Sequence, residues 1–313
     1  MRDARDVRAV LQGLRERFEA AEIADPSADA ELLVGHVLGA SRGRVQALDV
    51  MGAELSPEQY ETLQALAAER ARRVPLQHLT GRAPFRRLEL SVGPGVFVPR
   101  PETETVAQFG IDELRGLPDA EPLAVDLCTG SGAIALATAH EVPAARVWAV
   151  EKSAEAHAWA ERNVREWGAG RVTLVRGDVA ELDREGLAAD AGPGAYDAGS
   201  ASFLIPAFEP LWGRVAVLMS NPPYVPRDMV PRDPEVRDHD PALALYSGVD
   251  GLDLIRVISR IGLRLVRPGG LLVLEHAEMQ GAAIRTLLTA DGWNGAETHP
   301  DLTGRDRATL ARR

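Results

Sequence analysis

An asparagine, two prolines and a tyrosine stand together at the end of an apolar run, as Asn221-Pro222-Pro223-Tyr224. The preceding residues 215–219 (Val-Ala-Val-Leu-Met) predict a buried parallel strand. Proline cannot donate to a sheet ladder and its φ is fixed, so the strand must stop at Asn221 and the carbonyls that follow keep fixed directions. Such rigidity suits a site for one small planar group. The bland alternative is a strand-ending turn, since Asn-Pro and Pro-Pro are ordinary in loops.

A glycine-containing turn after a second predicted strand, 123–127, points to a nucleoside site. Glycines let a ligand approach the backbone, and the following helix offers free N–H groups. Glu151 ends the next predicted strand, where a carboxylate can accept both ribose hydroxyls, and Asp178 ends the third, where it could meet an adenine amino group. The alternatives are a turn cap for Asp126 and an ordinary strand-end charge for Glu151. The candidate residues of the turn are Asp126, Cys128, Thr129, Gly130, Ser131 and Gly132.

From residue 99 onward, predicted strands and helices alternate, which indicates a doubly wound, mostly parallel α/β sheet whose ligands bind at the carboxyl ends of the strands. Residues 298–300 and 307–311 are expected to pair as an antiparallel edge. The predicted elements are helix 101–114, strand 123–127, strand 146–151, helix 153–167, strand 171–176, strand 215–219, helix 252–266 ended by the turn 267–270, and strand 271–275.

The first part of the chain, 1–81, predicts only helices, with a proline-started helix after Asp25 and a capping box at Ser56. Residues 82–98 predict a β-hairpin connector whose strands, 85–90 and 96–98, flank a Gly/Pro turn. The third segment, 99–313, is the α/β domain. Arginines at 70–73 and 82–87 make the junction locally basic; a solvated face is favoured over an acidic partner surface.

Composition narrows the class of protein. Of 313 residues, 45% are hydrophobic and 26% charged, as in an ordinary globular enzyme. A net charge of −11 disfavours direct nucleic-acid binding. The single Cys128 excludes an internal disulfide, the histidines lack metal-ligand spacing, and neither a signal peptide nor a membrane-spanning run is apparent. We therefore expect a cytoplasmic monomer without a metal or a membrane partner.

Taken together, these residues resemble the release-factor glutamine methyltransferases (the PrmC or HemK family) among the class I S-adenosylmethionine-dependent methyltransferases. The similarity covers nearly the whole chain in order. Asn-Pro-Pro-Tyr alone is typical of amino-group methyltransferases in general; with the Pro-Arg-Pro-Glu-Thr segment at 99–103 it is much more specific. The matching segments are Pro75-Leu76-Gln77 with Gly81, residues 97–104, 126–132, 221–224, 240–245 with Gly248, Asp250 and Gly251, and 301–305.

The resemblance implies a seven-stranded Rossmann-like sheet and methylation of the glutamine side-chain amide in the Gly-Gly-Gln motif of peptide chain release factors, with S-adenosylhomocysteine as the product. It also implies that the helical domain helps to hold the release factor. By position, residues 128–132, Glu151, Asp178 and Val179 would line the cofactor site. Asn221 would also contact the cofactor, and Asn221, Pro222, Pro223 and Tyr224 would hold the glutamine. The Asn221 side-chain oxygen and the Pro222 carbonyl would accept the two amide N–H bonds, and Tyr224 would pack against the amide plane.

Three features depart from the family pattern. Cys128 replaces the first glycine of the loop, which predicts a negative φ there. Glu151 stands where aspartate is common. The connection between Asp178 and Asn221 is unusually long, and we expect a partly ordered flap near the site.

Three other functions remain open from the sequence. An amino methyltransferase acting on adenine or cytosine in nucleic acid shares the loop chemistry. An NAD-dependent dehydrogenase fits Gly130, Gly132 and Glu151 but leaves Asn-Pro-Pro-Tyr unexplained. A non-catalytic binding protein is the third, but it would not explain why both Asn221 and Glu151 are present.

Overall fold

A computed structural model describes residues 5–183 and 204–313, with only the backbone of Ile205. The described chain divides into two units. The first comprises residues 5–82 together with Pro231–His239, and the second comprises the described parts of 83–230 and 240–313. The segment 231–239 therefore belongs to a unit from which it is distant in sequence. The predicted boundaries at residues 81 and 98 stay predictions.

The first unit is helical, as the sequence predicts. Asp25 caps a helix with Pro26 in its first turn, and Ser56 and Gln59 form the predicted reciprocal capping box. Val10, Leu33 and Leu63 belong to its buried apolar core. Its helices are α1 (Val7–Ala20), α2 (Pro26–Leu38), α3 (Arg42–Met51), α4 (Pro57–Ala71) and α5 (Leu76–Thr80), and the later segment adds α10 (Pro234–His239).

The second unit contains a seven-stranded sheet in the described residues and, apart from Arg82, a two-stranded pair of β1 (Arg82–Phe85) with β2 (Leu88–Ser91). The order of the sheet is β5-β4-β3-β6-β7-β9-β8. All neighbours are parallel except β9, which runs antiparallel to β7 and β8. The predicted mostly parallel α/β fold and its antiparallel edge are confirmed. The strands are β3 (Leu123–Leu127), β4 (Arg146–Glu151), β5 (Val172–Arg176), β6 (Val215–Ser220), β7 (Val266–Glu275), β8 (Asn294–Pro300) and β9 (Asp306–Arg312).

Helices cover both faces of this sheet, because its inner strands are apolar on both sides. In β3, Ala124 packs into one buried cluster, whereas Val125 and Leu127 pack into the other. The first cluster includes α6 (Thr103–Gly116) and α7 (Ala133–Glu141); the second includes α12 (Asp253–Leu265) and α13 (Gly281–Asp291). The remaining helices are α8 (Ala154–Trp167), α9 (Leu204–Phe208) and α11 (Ala242–Leu245).

The predicted hairpin is wrong in its turn. The strand pair closes at Arg86-Arg87, and residues 96–98 are not a strand. Arg86 reaches φ 53, its backbone N–H donates to Glu104 (2.9 Å), and its guanidinium binds Glu141, which together fix the turn. Val96 and Val98 are apolar because they pack with Ala156 of α8.

Two other expectations also need correction. Residues 267–270 lie within β7 rather than in a turn, with Gly269 at φ 77 and a shift in the β6–β7 register. The basic junction is not a uniformly solvated face, because Arg70 is buried against Asp29 and Glu235. Most of the expected flap, 184–203, lies outside the described residues.

Candidate active site

The two candidate loops leave adjacent strands at neighbouring positions. β3 pairs with β4 on one side and with β6 on the other. The chain therefore builds the sheet outward from β3 in one direction through β4 and β5, and then in the opposite direction from β6. Leu127 is opposite Ser220, and the Ser220 hydroxyl donates to the Leu127 carbonyl (2.6 Å). Cys128 and Asn221 are the next residues on each strand. Open α/β sheets bind ligands at such a point, so the fold brings the two predicted half-sites together.

Hydrogen bonds shape the loop 128–132. The Thr129 N–H donates to the Val150 carbonyl (2.9 Å), and the Gly132 N–H donates to the Thr129 carbonyl (2.8 Å). Gly130 and Gly132 have φ values of 58° and 88°, which glycine adopts without a side-chain clash. Cys128 has φ 64, so the predicted negative φ is wrong: the turn imposes a left-handed backbone on a residue with a side chain. Burial raises the pKa of its thiol, which stays protonated at neutral pH.

Asp126 lies beneath this loop and is fully buried. Its Oδ2 accepts hydrogen bonds from the Thr129 hydroxyl (2.6 Å) and the Ala135 N–H (3.1 Å). Its Oδ1 is buried and has no hydrogen-bond partner in the described parts of the chain. Burial raises the pKa of Asp126 to about 7. Asp126 thus fixes the loop with one oxygen and keeps a buried acceptor with the other.

Glu151 and Asp178 stand at the ends of the next two strands. Glu151 accepts the Gly130 N–H (2.9 Å) and the Ser153 N–H (2.7 Å), one on each oxygen, and burial raises its pKa. Each carboxylate oxygen has a further lone pair for a ligand. Asp178 accepts the Ala180 N–H (3.0 Å) and pairs with Lys152 (2.9 Å). Val179 is buried in the core cluster of the same face.

The Asn221–Tyr224 segment presents two acceptors without internal partners. Asn221 Nδ2 donates to Thr103 Oγ1 (3.2 Å), whereas its Oδ1 accepts no hydrogen bond from the described residues. Over the same residues, no backbone N–H donates to the Pro222 carbonyl. Pro222 is buried, and Pro223 and Tyr224 are half-buried. Neither of the two predicted acceptors is therefore engaged by a donor of the described residues.

A second layer of residues holds the segment, and sequence reasoning missed it. The Tyr224 carbonyl accepts from Gln280 Nε2 (2.9 Å), and a Cβ at Gly251 would lie only 2.1 Å from that carbonyl oxygen. The Tyr224 hydroxyl faces the buried Glu275 at 3.5 Å, and burial raises the tyrosine pKa. Gly251 belongs to a segment that carries the family resemblance, but its proximity to Tyr224 is not deducible from spacing.

Asn163 on α8 is another support that the sequence did not reveal. This fully buried side chain accepts from the Ser91 N–H (2.8 Å) and donates to the carbonyls of Ser91 (3.0 Å) and Ser131 (2.9 Å). It therefore ties β2 and the loop 128–132 to one helix. The only hint in the sequence is an amide placed among the predominantly charged and apolar residues of α8.

The residues at this edge fit S-adenosylmethionine, a ligand with two positive charges and a ribose. Buried Asp126 Oδ1 is an unpartnered acceptor, Glu151 keeps free lone pairs, and the left-handed glycines open the backbone of the loop. Among the described residues, no group of three or more His, Cys, Asp or Glu side chains is placed to hold a metal ion. The same residues include no helix long and apolar enough to span a membrane.

Comparison with known sequences decides the family. Profiles described as "PrmC N-terminal domain" and "Methyltransferase domain" match residues 9–81 and 124–193. The release factor glutamine methyltransferase of Streptomyces coelicolor is 45% identical over 300 residues, which cover 95% of this chain and 95% of that protein. That of Bifidobacterium longum is 40% identical over 96% of this chain and 98% of the relative. The chain belongs to the release factor glutamine methyltransferase family. Membership confirms the predicted class I methyltransferase fold and implies the use of S-adenosylmethionine.

One relative has a different substrate in its name. The 4-amino-L-phenylalanine/4-methylamino-L-phenylalanine methyltransferase of Streptomyces pristinaespiralis is 38% identical over 235 residues, which cover 74% of this chain and 71% of that protein. Both names describe a methyltransferase. Family membership alone therefore fixes the reaction class more firmly than the acceptor molecule.

Proposed function

We propose that this protein transfers a methyl group from S-adenosylmethionine to the side-chain amide nitrogen of the glutamine in the Gly-Gly-Gln motif of peptide chain release factors. The observation that carries the proposal is the pair of unpartnered acceptors, Asn221 Oδ1 and the Pro222 carbonyl, beside the loop 128–132. A primary amide has two N–H donors in one plane, which match two fixed acceptors. Two relatives named release factor glutamine methyltransferase, which are 45% and 40% identical over nearly the full chain, support the choice of substrate.

The residues of this chain address the weakness of an amide as a nucleophile. The amide lone pair is delocalised into its carbonyl, so positive charge develops on nitrogen as the new bond forms. Asn221 Oδ1 and the Pro222 carbonyl would accept its two N–H bonds, orient the nitrogen and stabilise that charge. When bound, S-adenosylmethionine supplies a methyl group on a positively charged sulfur. The N–C bond forms as the C–S bond breaks, and one amide proton leaves to solvent, which gives a neutral N-methyl amide.

The cofactor side of the proposal assigns one role to each strand end. The loop 128–132 would accommodate the cofactor against its backbone, Glu151 would accept the ribose hydroxyls, and Asp178 with Val179 would line the adenine. Asp126 Oδ1, which has no hydrogen-bond partner in the described residues, would face the positive charge of the cofactor. Tyr224 would pack against the substrate amide, with Pro223 fixing the loop between them. The helical unit would hold the release factor.

Incubation with labelled S-adenosylmethionine and a purified release factor tests the function. We expect label in the peptide that contains Gly-Gly-Gln and none when that glutamine is replaced by alanine. Parallel reactions with RNA, DNA and a free aromatic amine test the other acceptor classes. Faster transfer to any of these than to the release factor would overturn the proposal.

Asn221→Ala should lower kcat by roughly 100-fold or more, because the amide loses a fixed acceptor that acts on the developing charge. Affinity for S-adenosylmethionine, measured by calorimetry, should change by no more than about twofold, since Glu151 and the loop are untouched. Asn294→Ala is the matched control, because this exposed asparagine begins β8 and lies outside the site. Wild-type turnover in the Asn221 variant would contradict the assigned role.

A further inference from the structure

Gln280 joins three segments of the chain around Tyr224. It stands directly before α13, where a side chain often caps a helix, yet its side chain makes no cap hydrogen bond within the described residues. Instead, Nε2 donates to the carbonyls of Tyr224 (2.9 Å) and Asp250 (3.2 Å), while Oε1 accepts the Ala277 N–H (3.0 Å). The carboxamide therefore ties other segments together rather than capping its own helix.

These three partners leave the Gln280 carboxamide only one orientation. A backbone N–H can only donate and a backbone carbonyl can only accept, so the oxygen must face Ala277 and the NH₂ must face the two carbonyls. A primary amide has two N–H donors, and two carbonyls lie within reach of this one. An ionised glutamate has no donor and could not replace this side chain.

Gln280 binds the chain where a long excursion begins and ends. Tyr224 stands at the start of a stretch that leaves the second unit, contributes residues 231–239 to the first, and returns. Backbone hydrogen bonds close this stretch at its base, where the Val225 N–H donates to the Leu245 carbonyl (2.7 Å). Gln280 follows β7 in the chain, so it holds the same base from outside the stretch.

Both ends of Tyr224 are held by the connection between β7 and α13. Its carbonyl accepts from Gln280, and its hydroxyl lies 3.5 Å from Oε1 of Glu275, the last residue of β7. With the backbone held at one end and the hydroxyl at the other, the ring has little freedom to turn. A ring that packs against a planar amide needs such a fixed plane.

We propose that Gln280 is a positioning residue for methyl transfer, which sets the plane of the Tyr224 ring by holding its backbone carbonyl. The inference rests on the proposed function for the contact between Tyr224 and the substrate amide. It rests on hydrogen-bond geometry for the role of Gln280. Gln280 acts through Tyr224 and not on the reacting atoms.

The hydrogen bonds can be tested without turnover, because the sequence has only seven glutamines. Selective ¹⁵N-glutamine labelling shows the side-chain NH₂ of each, and Gln280→Glu identifies that of Gln280 by its loss. Gln64 is the matched reference, because it is also half-buried but its side chain makes no hydrogen bond to the described residues. The Gln280 NH₂ should exchange with water more slowly than that of Gln64, by about fivefold or more.

Gly251→Ala should remove this protection. An added Cβ would lie 2.7 Å from Gln280 Nε2 and 2.1 Å from the Tyr224 carbonyl oxygen, so the donor and the acceptor must separate. The exchange rate of the Gln280 NH₂ should then approach that of Gln64.

Kinetics supply the second readout. Gln280→Ala and Gln280→Glu should each lower kcat by about tenfold or more, because the Tyr224 carbonyl loses its donor and the ring loses its fixed plane. Affinity for S-adenosylmethionine, measured by calorimetry, should stay within about twofold, since the loop 128–132 is untouched. Met279→Glu is the matched control, because it adds the same charge at a neighbouring residue that is 93% exposed. Its kcat should equal that of the wild type.

A double variant shows whether Gln280 and Gly251 act through the same carbonyl. Independent losses of kcat multiply, whereas losses that arise through one shared group do not. Gln280→Ala combined with Gly251→Ala should therefore be about as slow as the slower single variant. A loss equal to the product of the two single losses would overturn the shared role.

The outcomes separate this inference from the proposed function. Exchange of the Gln280 NH₂ as fast as that of Gln64, wild-type kcat in Gln280→Glu, or an equal loss of kcat in Met279→Glu overturns the positioning role. If Gln280→Ala fails to fold, the closely similar Gln280→Glu and the exchange rates of the wild type decide. A wild-type protein that does not methylate the release factor, yet protects its Gln280 NH₂, would overturn the substrate assignment and leave the hydrogen bonds of Gln280 in place.

Discussion

At the residue scale, the candidate site has no room for a side chain at Gly251. This glycine has φ 79, and an added Cβ would lie 2.1 Å from the Tyr224 carbonyl oxygen and 2.7 Å from the Gln280 Nε2 that binds that oxygen. Such a distance is far inside van der Waals contact with backbone atoms. Tyr224 can keep its position only if residue 251 has no side chain.

Gly251→Ala should therefore lower the free energy of unfolding by about 2–3 kcal/mol, from the collision and the left-handed backbone together. It should also lower kcat, because Tyr224 must move. Gly304→Ala is the matched control: its φ is 84, but nothing lies within 4 Å of the added Cβ, so only about 1 kcal/mol is expected. Urea unfolding and methyl transfer measure both variants. Equal losses would mean that the Tyr224 contact is unimportant.

At the scale of elements, α10 joins a unit to which it is remote in sequence. Glu235 on this short helix accepts from Arg70 Nη1 and from Arg73 Nε, each at 2.8 Å, and Arg70 also binds Asp29 (2.6 Å). These arginines hold the pKa of Glu235 well below its usual range, although burial acts in the opposite direction. The segment that follows the Asn221–Tyr224 loop is thus anchored by a largely buried ion-pair cluster.

Glu235→Ala should cost about 3 kcal/mol, because it leaves buried guanidinium groups without their shared carboxylate. Hydrogen exchange of residues 231–239 and thermal unfolding would detect the loss. Asp238→Ala on the same helix is the control, since Asp238 is exposed and pairs with the adjacent Arg237. Similar exchange in both variants would show that the cluster does not hold the segment.

Sequence reasoning located the elements that carry local signals. Apolar runs predicted β3, β4 and β6 with bounds that agree with the structure to within a residue, and Ser56 with Gln59 predicted a cap that forms. It misplaced the hairpin, because the apolar spacing of Val96 and Val98 reflects packing on α8.

The partners of the candidate site were missed for a physical reason. Thr103 is 118 positions from Asn221, and Glu275 is 51 positions from Tyr224. The first pair is created by the packing of α6 beside the end of β6, and the second by the parallel pairing of β6 with β7, which no spacing rule encodes. The φ of Cys128 was wrong because hydrogen bonds from its neighbours override the local preference of a side chain.

For the whole molecule, buried carboxyls couple folding to pH. Asp126 has a pKa of about 7 when folded, against about 4 in an unfolded chain. Between these values the folded state binds more protons, so this group makes stability fall as pH rises from about 4 to about 7.

The expected monomeric state and cytoplasmic location stay predictions.

Asp126→Asn should be more stable than the wild type at pH 8 by at least about 1 kcal/mol, because the amide carries no charge. Its Oδ1 can accept from Thr129 and Ala135 as Asp126 Oδ2 does. The difference in unfolding free energy should grow from pH 5 to pH 8 and level off above it. A difference independent of pH would contradict the raised pKa. Affinity for S-adenosylmethionine should fall, because an acceptor for its positive charge is lost.

The ion pair between Lys152 and Asp178 has a practical consequence. Lys152 is the only lysine in the sequence, and its ammonium lies 2.9 Å from the carboxylate that would line the adenine. Amine-directed reagents therefore have one side-chain target here, and under the proposed assignment of Asp178 it would report on the cofactor pocket. A small fluorophore attached at this position would act as a built-in gauge of occupancy, without any substitution in the chain.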